Sequence, residues 1–509
     1  MTDELLVAQA WVARSQFRFP RMQSLVMQAA AALTAQQNDP VSTGHGRNAE
    51  QQLEGEIDLL RTSLCYWQGD MAGVMRHGTR GLALTPVELC AVRNLALMFL
   101  CGAYQAKGDL PGAYALHAAQ LAAACAHGPI CLRSFWLAMA PVQAIAGDLP
   151  ALAENVNRML ALVQSLPWDA HTAVIYYHLA AINYYQNNLA GVEQTLAELL
   201  PRRYHAVPAF FIQSAFLLAA TYQVQERAAE ANALAAFALS FCDETGHVQL
   251  AAIVRAFAAE LALRQGRPDD ARFLALELAD TPLLPTPFFY SPYMTLVKLY
   301  LAQNTAPSLQ SAFDLLERLE QFLASTHNVR FLMEVLALKA LAWQARGEQA
   351  AAVAALAEAI RLAAPGGYIR IFADLGGQIG GLLAQVAAQG VAPLLVAAIR
   401  AAIDPATSQP LSSPPASAPD APAATTASAT GGDSEADFAT LLTFREQDVL
   451  RLLGRRQTNQ EIAAALSISP QTVKRHTANI FRKLQISNRR EASAAAGRLN
   501  GAHADISEL

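Results

Sequence analysis

Eight short polar turns recur along this chain at nearly constant spacing, and that regularity limits its fold more than any other feature. They read Gly69-Asp70, Gly108-Asp109, Gly147-Asp148, Asn187-Asn188, Gln225-Glu226, Gly266-Arg267, Asn304-Thr305 and Gly347-Glu348. Their first residues stand 39, 39, 40, 38, 41, 38 and 43 positions apart. Before each turn runs an apolar stretch and after it an alanine-rich one. Gly or Asn at the turn suits a helix C-terminus, because both tolerate a left-handed backbone. Small residues early in the following helix, such as Ala113 and Ala115, let two helices approach closely. Tyr104 stands where a large side chain can fill the groove between them. One helix pair cannot bury its own apolar face, whereas stacked pairs can. The pattern therefore predicts an all-α solenoid over about residues 50–363. The apolar stretches Glu4 to Ala13 and Met22 to Ala35 predict one more helix pair ahead of it, followed by a polar loop from Asp39 to Arg47.

Composition agrees with burial on this scale. Of 509 residues, 53% are hydrophobic and 16% charged, which excludes a disordered chain. Aromatics are only 7%, so helices with small contact residues are favoured over strands. The six cysteines, Cys65, Cys90, Cys101, Cys125, Cys131 and Cys242, form no C-x-x-C pair and have no histidine pair beside them. They read as buried free thiols of a reducing cytosol. The N-terminus has no basic region ahead of an apolar run and does not look like a signal peptide. The longest uncharged apolar stretch, Ala206 to Tyr222, contains Pro208 and Gln213 and is shorter than a bilayer span of about 20 residues. It predicts a buried helix, and the chain is expected to be cytoplasmic, without a membrane partner.

Charge divides the chain. Residues 441–500 carry a net charge of +7, while the remainder carries −12. A small basic module on an acidic body points to a polyanion partner for the module alone. Asp404 to Asp437 holds six prolines, five acids and no basic residue. It is expected to be a disordered linker with a reach of roughly 30 Å. Three domains follow: a repeat unit over 1–403, the linker over 404–437 and the basic module over 438–509.

Within the module, Thr443-x-x-Glu446, Thr458-x-x-Glu461 and Asn488-x-x-Glu491 each place a short oxygen-bearing residue at N-cap and a glutamate at N3. Ser469-Pro470 starts a further helix, with Ser as N-cap and Pro at N1. Four helices are predicted, at about 444–454, 459–466, 470–484 and 489–499. Val449, Leu450, Leu453, Ile462, Ala463, Leu466, Ile468, Val473, Ile480, Leu484 and Ile486 are expected to share one core. The second and third helices, separated by Ser467-Ile468-Ser469, form a helix-turn-helix whose second member enters the major groove of duplex DNA. Gln471, Lys474, Arg475 and Ala478 then lie on its outer face, with Lys474 and Arg475 able to donate to guanine O6 and N7. Thr458, Asn459, Ser469 and Thr472 lie at helix N-termini, which suit phosphate oxygens. Arg482, Lys483 and Arg489 are further candidate phosphate partners. His476, without a companion ligand, reads as a half-buried residue or phosphate contact rather than a metal ligand.

These residues resemble the LuxR-type helix-turn-helix family. The resemblance rests on Leu442 to Glu446, Asn459 to Ala463, Ser469 to His476, Arg482 to Leu484 and Arg489 to Ala492, along about 60 residues. It implies a homodimer on two DNA half-sites, with base reading by Lys474 and Arg475 and subunit pairing by the last helix around Ala492, Ser493, Ala496 and Gly497. It also implies RNA polymerase as a partner. Phe444 stands where proline is usual after Thr443, and Ala478 where some members carry a basic residue, so site preference is not transferable. The rest of the chain resembles the tetratricopeptide-like region of large MalT-like, ATP-dependent members; its period exceeds the 34 residues of the standard repeat. Those members carry an N-terminal ATPase that is not read in these residues, so an ATP-driven switch is not expected from them.

The expected function is a sequence-specific transcription regulator, an activator, whose array senses a small-molecule or protein effector. Tyr176, Tyr177, Tyr184 and Tyr185 could line its ligand pocket, but aromatics at helical spacing read first as repeat core. The segment Gly367 to Gly376 has no lysine where a phosphate-binding loop needs one, and no G-x-x-x-x-G-K-[ST] occurs. No catalytic residue, metal set or cofactor site is read, so an enzyme is disfavoured. A repeat scaffold with a module that does not bind DNA is the other reading, and the basic charge with Lys474-Arg475 argues against it.

Overall fold

The computed structural model describes residues 3–16, 18–37, 47–271 and 287–404. In the C-terminal part it describes 449–450, 452–454, 457–465, 473–474, 477, 480–481 and 491–492. Every element among them is helical. The chain separates into two compact units, Met1–Gln409 and Pro410–Leu509. The linker, the polar loop at 39–46 and the module's first segment up to Asp448 lie outside the described residues.

In the first unit, Asp3–Ser15 and Phe19–Gln37 form the expected leading pair. The first helices of the successive pairs are Arg47–Trp67, Cys90–Ala106, Gly128–Ala146, Ala170–Tyr185, Pro208–Val224, Val248–Arg264, Pro292–Gln303 and Val329–Ala345. Each packs on the helix that follows its turn, for example Met71–Leu84, Leu149–Val163 or Gln349–Ala363. The Ala206 to Tyr222 stretch lies largely in the Pro208–Val224 helix, where Phe211, Phe216 and Leu217 are fully buried. One described helix, Gly128–Ala146, is long and apolar enough to cross a membrane by length and composition, and 67% of it is buried among its neighbours.

The turns have a two-residue logic. A left-handed residue ends the first helix, and the next residue caps the second. Gly69, Gly108, Gly147, Asn187, Gly266, Asn304 and Gly347 all have positive φ. At the fifth turn the left-handed residue is Glu226, at φ 64°, and not Gln225. Placing that turn one residue later makes the spacing more even: 39, 39, 40, 39, 40, 38 and 43. Asp70, Asp109, Asp148 and Asn188 then accept a hydrogen bond from the backbone N–H three residues on, at 2.8–3.1 Å. Thr305 and Ser308 form a reciprocal capping box. A tight turn thus satisfies donors at one helix start without extra chain length.

The array is not an open superhelix, because its late repeats touch its early ones. Gln105 donates to the His327 carbonyl at 2.7 Å, and the Gly128–Ala146 helix packs on Val329–Ala345. The Gly367 to Gly376 segment, expected only as a glycine-flanked tail to the repeats, docks inside. The Ile369 N–H donates to the Tyr185 carbonyl at 2.8 Å, and the Tyr368 ring lies tilted against Tyr185 with centroids 5.1 Å apart. Tyr177, Tyr184 and Tyr185 are buried in this core and Tyr176 packs against it, so they serve the repeat core rather than an open pocket.

Behind these rings lies a buried ionic network. Asp374 accepts from Tyr184 at 2.6 Å and from Arg264 at 3.2 Å, and pairs with Arg370. Glu260 accepts from Arg264 at 2.9 Å, Lys298 at 2.8 Å and Thr295 at 3.0 Å. Arg330 links Tyr185, at 2.7 Å, to Glu334, at 2.9 Å. The neighbouring cations hold the Asp374 carboxyl below its ordinary range and bring Glu260 down to about 2, overcoming the opposing effect of burial. Four helices meet here with the tail segment, joining residues 110 and 190 positions apart.

The cysteine expectation needs correction in part. Cys101, Cys131 and Cys242 are buried, Cys65 and Cys90 are half-buried, and Cys125 is exposed. Burial pushes the Cys101 and Cys242 thiols up to about 12.

Candidate nucleic-acid interface

The C-terminal unit is built on a small apolar core. Val449, Leu450, Leu453, Ile462, Ala463, Val473, Ile480 and Ala492 are buried together, with Leu452 and Phe481 packed against them. Seven of these are residues the periodicity assigns to the core. Leu466, Ile468, Leu484 and Ile486 lie outside the described residues.

The Asn459–Ala465 helix starts as its sequence requires. The Glu461 N–H donates to Thr458 Oγ1 at 3.3 Å, and Glu461 Oε2 accepts from the Thr458 N–H at 2.6 Å and its hydroxyl at 2.8 Å. These donors, the backbone N–H foremost, hold the Glu461 carboxyl below its usual value. The cap engages both donors of Thr458 within the helix end, and Asn459 beside it is half-exposed.

Residues 473, 474, 477, 480 and 481 are helical. Val473 and Ile480 face the core, and Thr477 between them is half-buried, its hydroxyl donating to the Val473 carbonyl at 2.8 Å. Residues at i, i+4 and i+7 thus point inward, and Lys474, one step round from Val473, is exposed. That is the geometry a groove-reading helix needs: an anchored inner stripe and a cation on the outside. Gln471, Arg475 and Ala478, with Ser469, Thr472, His476, Arg482, Lys483 and Arg489, lie outside the described residues.

Ala492 is a correction. Its side chain is fully buried in the module's own core, so it is spent inside the protomer and offers no surface to a second subunit. Its place in that core is something the capping pattern alone could not reveal. The remaining pairing candidates, Ser493, Ala496 and Gly497, lie outside the described residues. Among the described residues no group of three or more His, Cys, Asp or Glu is placed to hold a metal ion.

Comparison with known proteins finds two family matches along the chain. The profile of the MalT-like TPR region matches residues 55–389, and that of the bacterial regulatory proteins of the luxR family matches residues 440–496. Curated relatives match over short stretches of the chain. An uncharacterized transcriptional regulatory protein of Bacillus subtilis, YhcZ, is 43% identical over 68 residues, 13% of this chain and 32% of that protein. The response regulator protein VraR of Staphylococcus aureus is 42% identical over 57 residues, 11% of this chain and 27% of its own length. The chain thus spans about a third or less of the length of these relatives. The repeat match covers about two-thirds of the 509 residues, and the chain therefore belongs to the family with the MalT-like TPR region, carrying a luxR-family module at its C-terminal end.

Proposed function

We propose that this protein is a sequence-specific DNA-binding transcription regulator, an activator, in which the repeat unit receives an effector and residues 438–509 bind duplex DNA. The observation that carries the reading is Lys474, exposed on a helix whose Val473 and Ile480 are locked in the core of a luxR-family module. The anchored stripe fixes the helix rotation, so Lys474 can meet base edges while the surrounding basic residues meet phosphates. The names of the relatives, a transcriptional regulatory protein and a response regulator protein, support the same reading. Under it the protein acts in the cytoplasm, as a homodimer on DNA, with RNA polymerase as its target. Repeat arrays present extended surfaces to partners, and this one supplies a separate compact unit in which an effector can act.

DNA selection from a random library with the full chain, beside a Lys474→Ala/Arg475→Ala double variant, tests the proposal. A two-fold symmetric motif that the variant loses is the expected result. If the folded chain and residues 438–509 alone both enrich nothing, the module is a scaffold element and the regulator reading fails.

A further inference from the structure

The early repeats enclose a cavity of about 210 Å³. Its wall comes from the first helices of five successive pairs, which contribute Trp67, Phe99, Leu137, Val174 and Phe210, and the Asp3–Ser15 helix adds Arg14. An apolar cavity of about 150 Å³ accommodates a molecule the size of benzene, so this one has room for a single ring with a short chain, or a medium-length alkyl chain.

The polar groups on the wall are not alike. Asn94 donates to the Ser134 hydroxyl at 2.8 Å and to the Cys131 carbonyl at 3.2 Å, and Ser134 donates to the same carbonyl at 2.9 Å. His171 leans on Asp169 at 3.6 Å. Arg14 differs: its Nε is shielded from solvent with no acceptor, and its guanidinium carbon stands 5.6 Å from the Phe99 ring centroid. No lining residue is acidic, and among the described residues no carboxylate pairs with Arg14. Arg14 as a whole is half-buried; a cation without a carboxylate at an apolar cavity is costly, and burial lowers the pKa of the guanidinium to about 10. A carboxylate offsets that cost best, because the planar guanidinium matches it with two parallel hydrogen bonds.

We propose that this cavity is an effector site for a small monocarboxylic acid with an apolar body, the carboxylate held by Arg14 and the hydrocarbon part by Trp67, Phe99, Leu137 and Phe210. The proposal rests on the effector reading above and names the chemical class. Because the wall spans five pairs, a bound acid ties the leading helix pair to the repeats that follow. It thereby favours one arrangement of the array over others to the extent that it binds that arrangement better.

Sodium octanoate and 3-phenylpropionate are the probes, with 1-octanol and octylamine as neutral and cationic controls. The full chain is followed by tryptophan fluorescence and by melting temperature. Both acids should bind saturably and raise the melting temperature, with octanol at least tenfold weaker and octylamine inactive. Arg14→Met should bring acid affinity down at least tenfold to the level of octanol, and Arg14→Lys should restore part of it. Leu137→Trp, which fills the cavity from a half-buried position, should abolish binding of acids and alcohol alike while the chain still melts cooperatively.

Equal binding of acid, alcohol and amine overturns the proposal, as does no binding by a folded chain. DNA selection without any acid separates the two readings. A chain that selects DNA and ignores every acid remains a regulator without this site. One that binds acids through Arg14 yet selects no DNA keeps the site and loses the regulator role.

Discussion

Lys474 and Asp374 show what one side chain can decide in each unit. Lys474 is exposed beside its buried neighbour Val473. Lys474→Ala should therefore leave the module folded and cost about 1–3 kcal/mol on the selected DNA site, with relaxed preference at one base position. Titrating the selected duplex with both proteins checks this, and unchanged affinity and selectivity would remove Lys474 from the interface. Asp374 is the opposite case, a carboxylate shared by Arg264, Arg370 and Tyr184. Asp374→Asn should destabilise the repeat unit by about 3 kcal/mol, since it leaves the buried Arg370 guanidinium without its carboxylate and takes from Arg264 one of its two; denaturant unfolding measures it. Lys474 and the capping box of Thr458 were legible in the sequence because helical periodicity and capping are local rules. Asp374 was not, because its partners come from helices far away in the chain and no local pattern announces them.

At the scale of the element, the turn is the unit that repeats. Asp148→Ala should cost about 1 kcal/mol by leaving the Ala151 N–H without its acceptor. Two glycines with nearly the same backbone then separate the turn from its surroundings. Gly69 has φ 76° and a Cβ there would meet nothing within 4 Å, so Gly69→Ala should cost only the left-handed strain, about 1 kcal/mol. Gly108 has φ 80°, but a Cβ there would lie 2.6 Å from Nε2 of His327. Gly108→Ala should be the more destabilising of the two in parallel thermal melts; equal losses would mean that contact between early and late repeats adds nothing. The left-handed residue was readable from Gly and Asn, and it failed only where Glu226 takes a conformation that its residue type does not advertise. The cap on the following residue was equally visible, in the Asp-x-x-Gly runs Asp70 to Gly73 and Asp109 to Gly112, and the glycine hid it by offering a sufficient reason for the turn.

For the whole molecule, charge burial sets the response to acid. His178 is buried between Tyr177 and Phe210, its Nε2 without a partner, and burial brings it down to about 3; His117, donating to the Phe135 carbonyl, stands at about 4. Both folded values lie below the unfolded one, so the unfolded chain takes up protons first. The stability they confer is complete above about pH 6.5 and is withdrawn as pH falls toward 4. Glu260, depressed to about 2, adds a second loss below the ordinary carboxylate range. The melting temperature should therefore fall from pH 7.5 to 5, and more steeply below 4.5. His178→Leu should flatten the first limb; an unaltered slope would assign it to other groups.

The helices, their pairing, the repeat period, the contrast between acidic body and basic stretch, and most of the module's core can be read from the chain alone. These follow from turn chemistry and hydrophobic spacing, which act over a few residues. Folding in three dimensions was needed to see that the array closes through Gln105 and His327, that the Gly367 to Gly376 segment docks on Tyr185, that Ala492 is core, and that Arg14 faces an apolar cavity. Each of these depends on where separate helices meet, and packing between distant segments leaves no periodic trace in the chain.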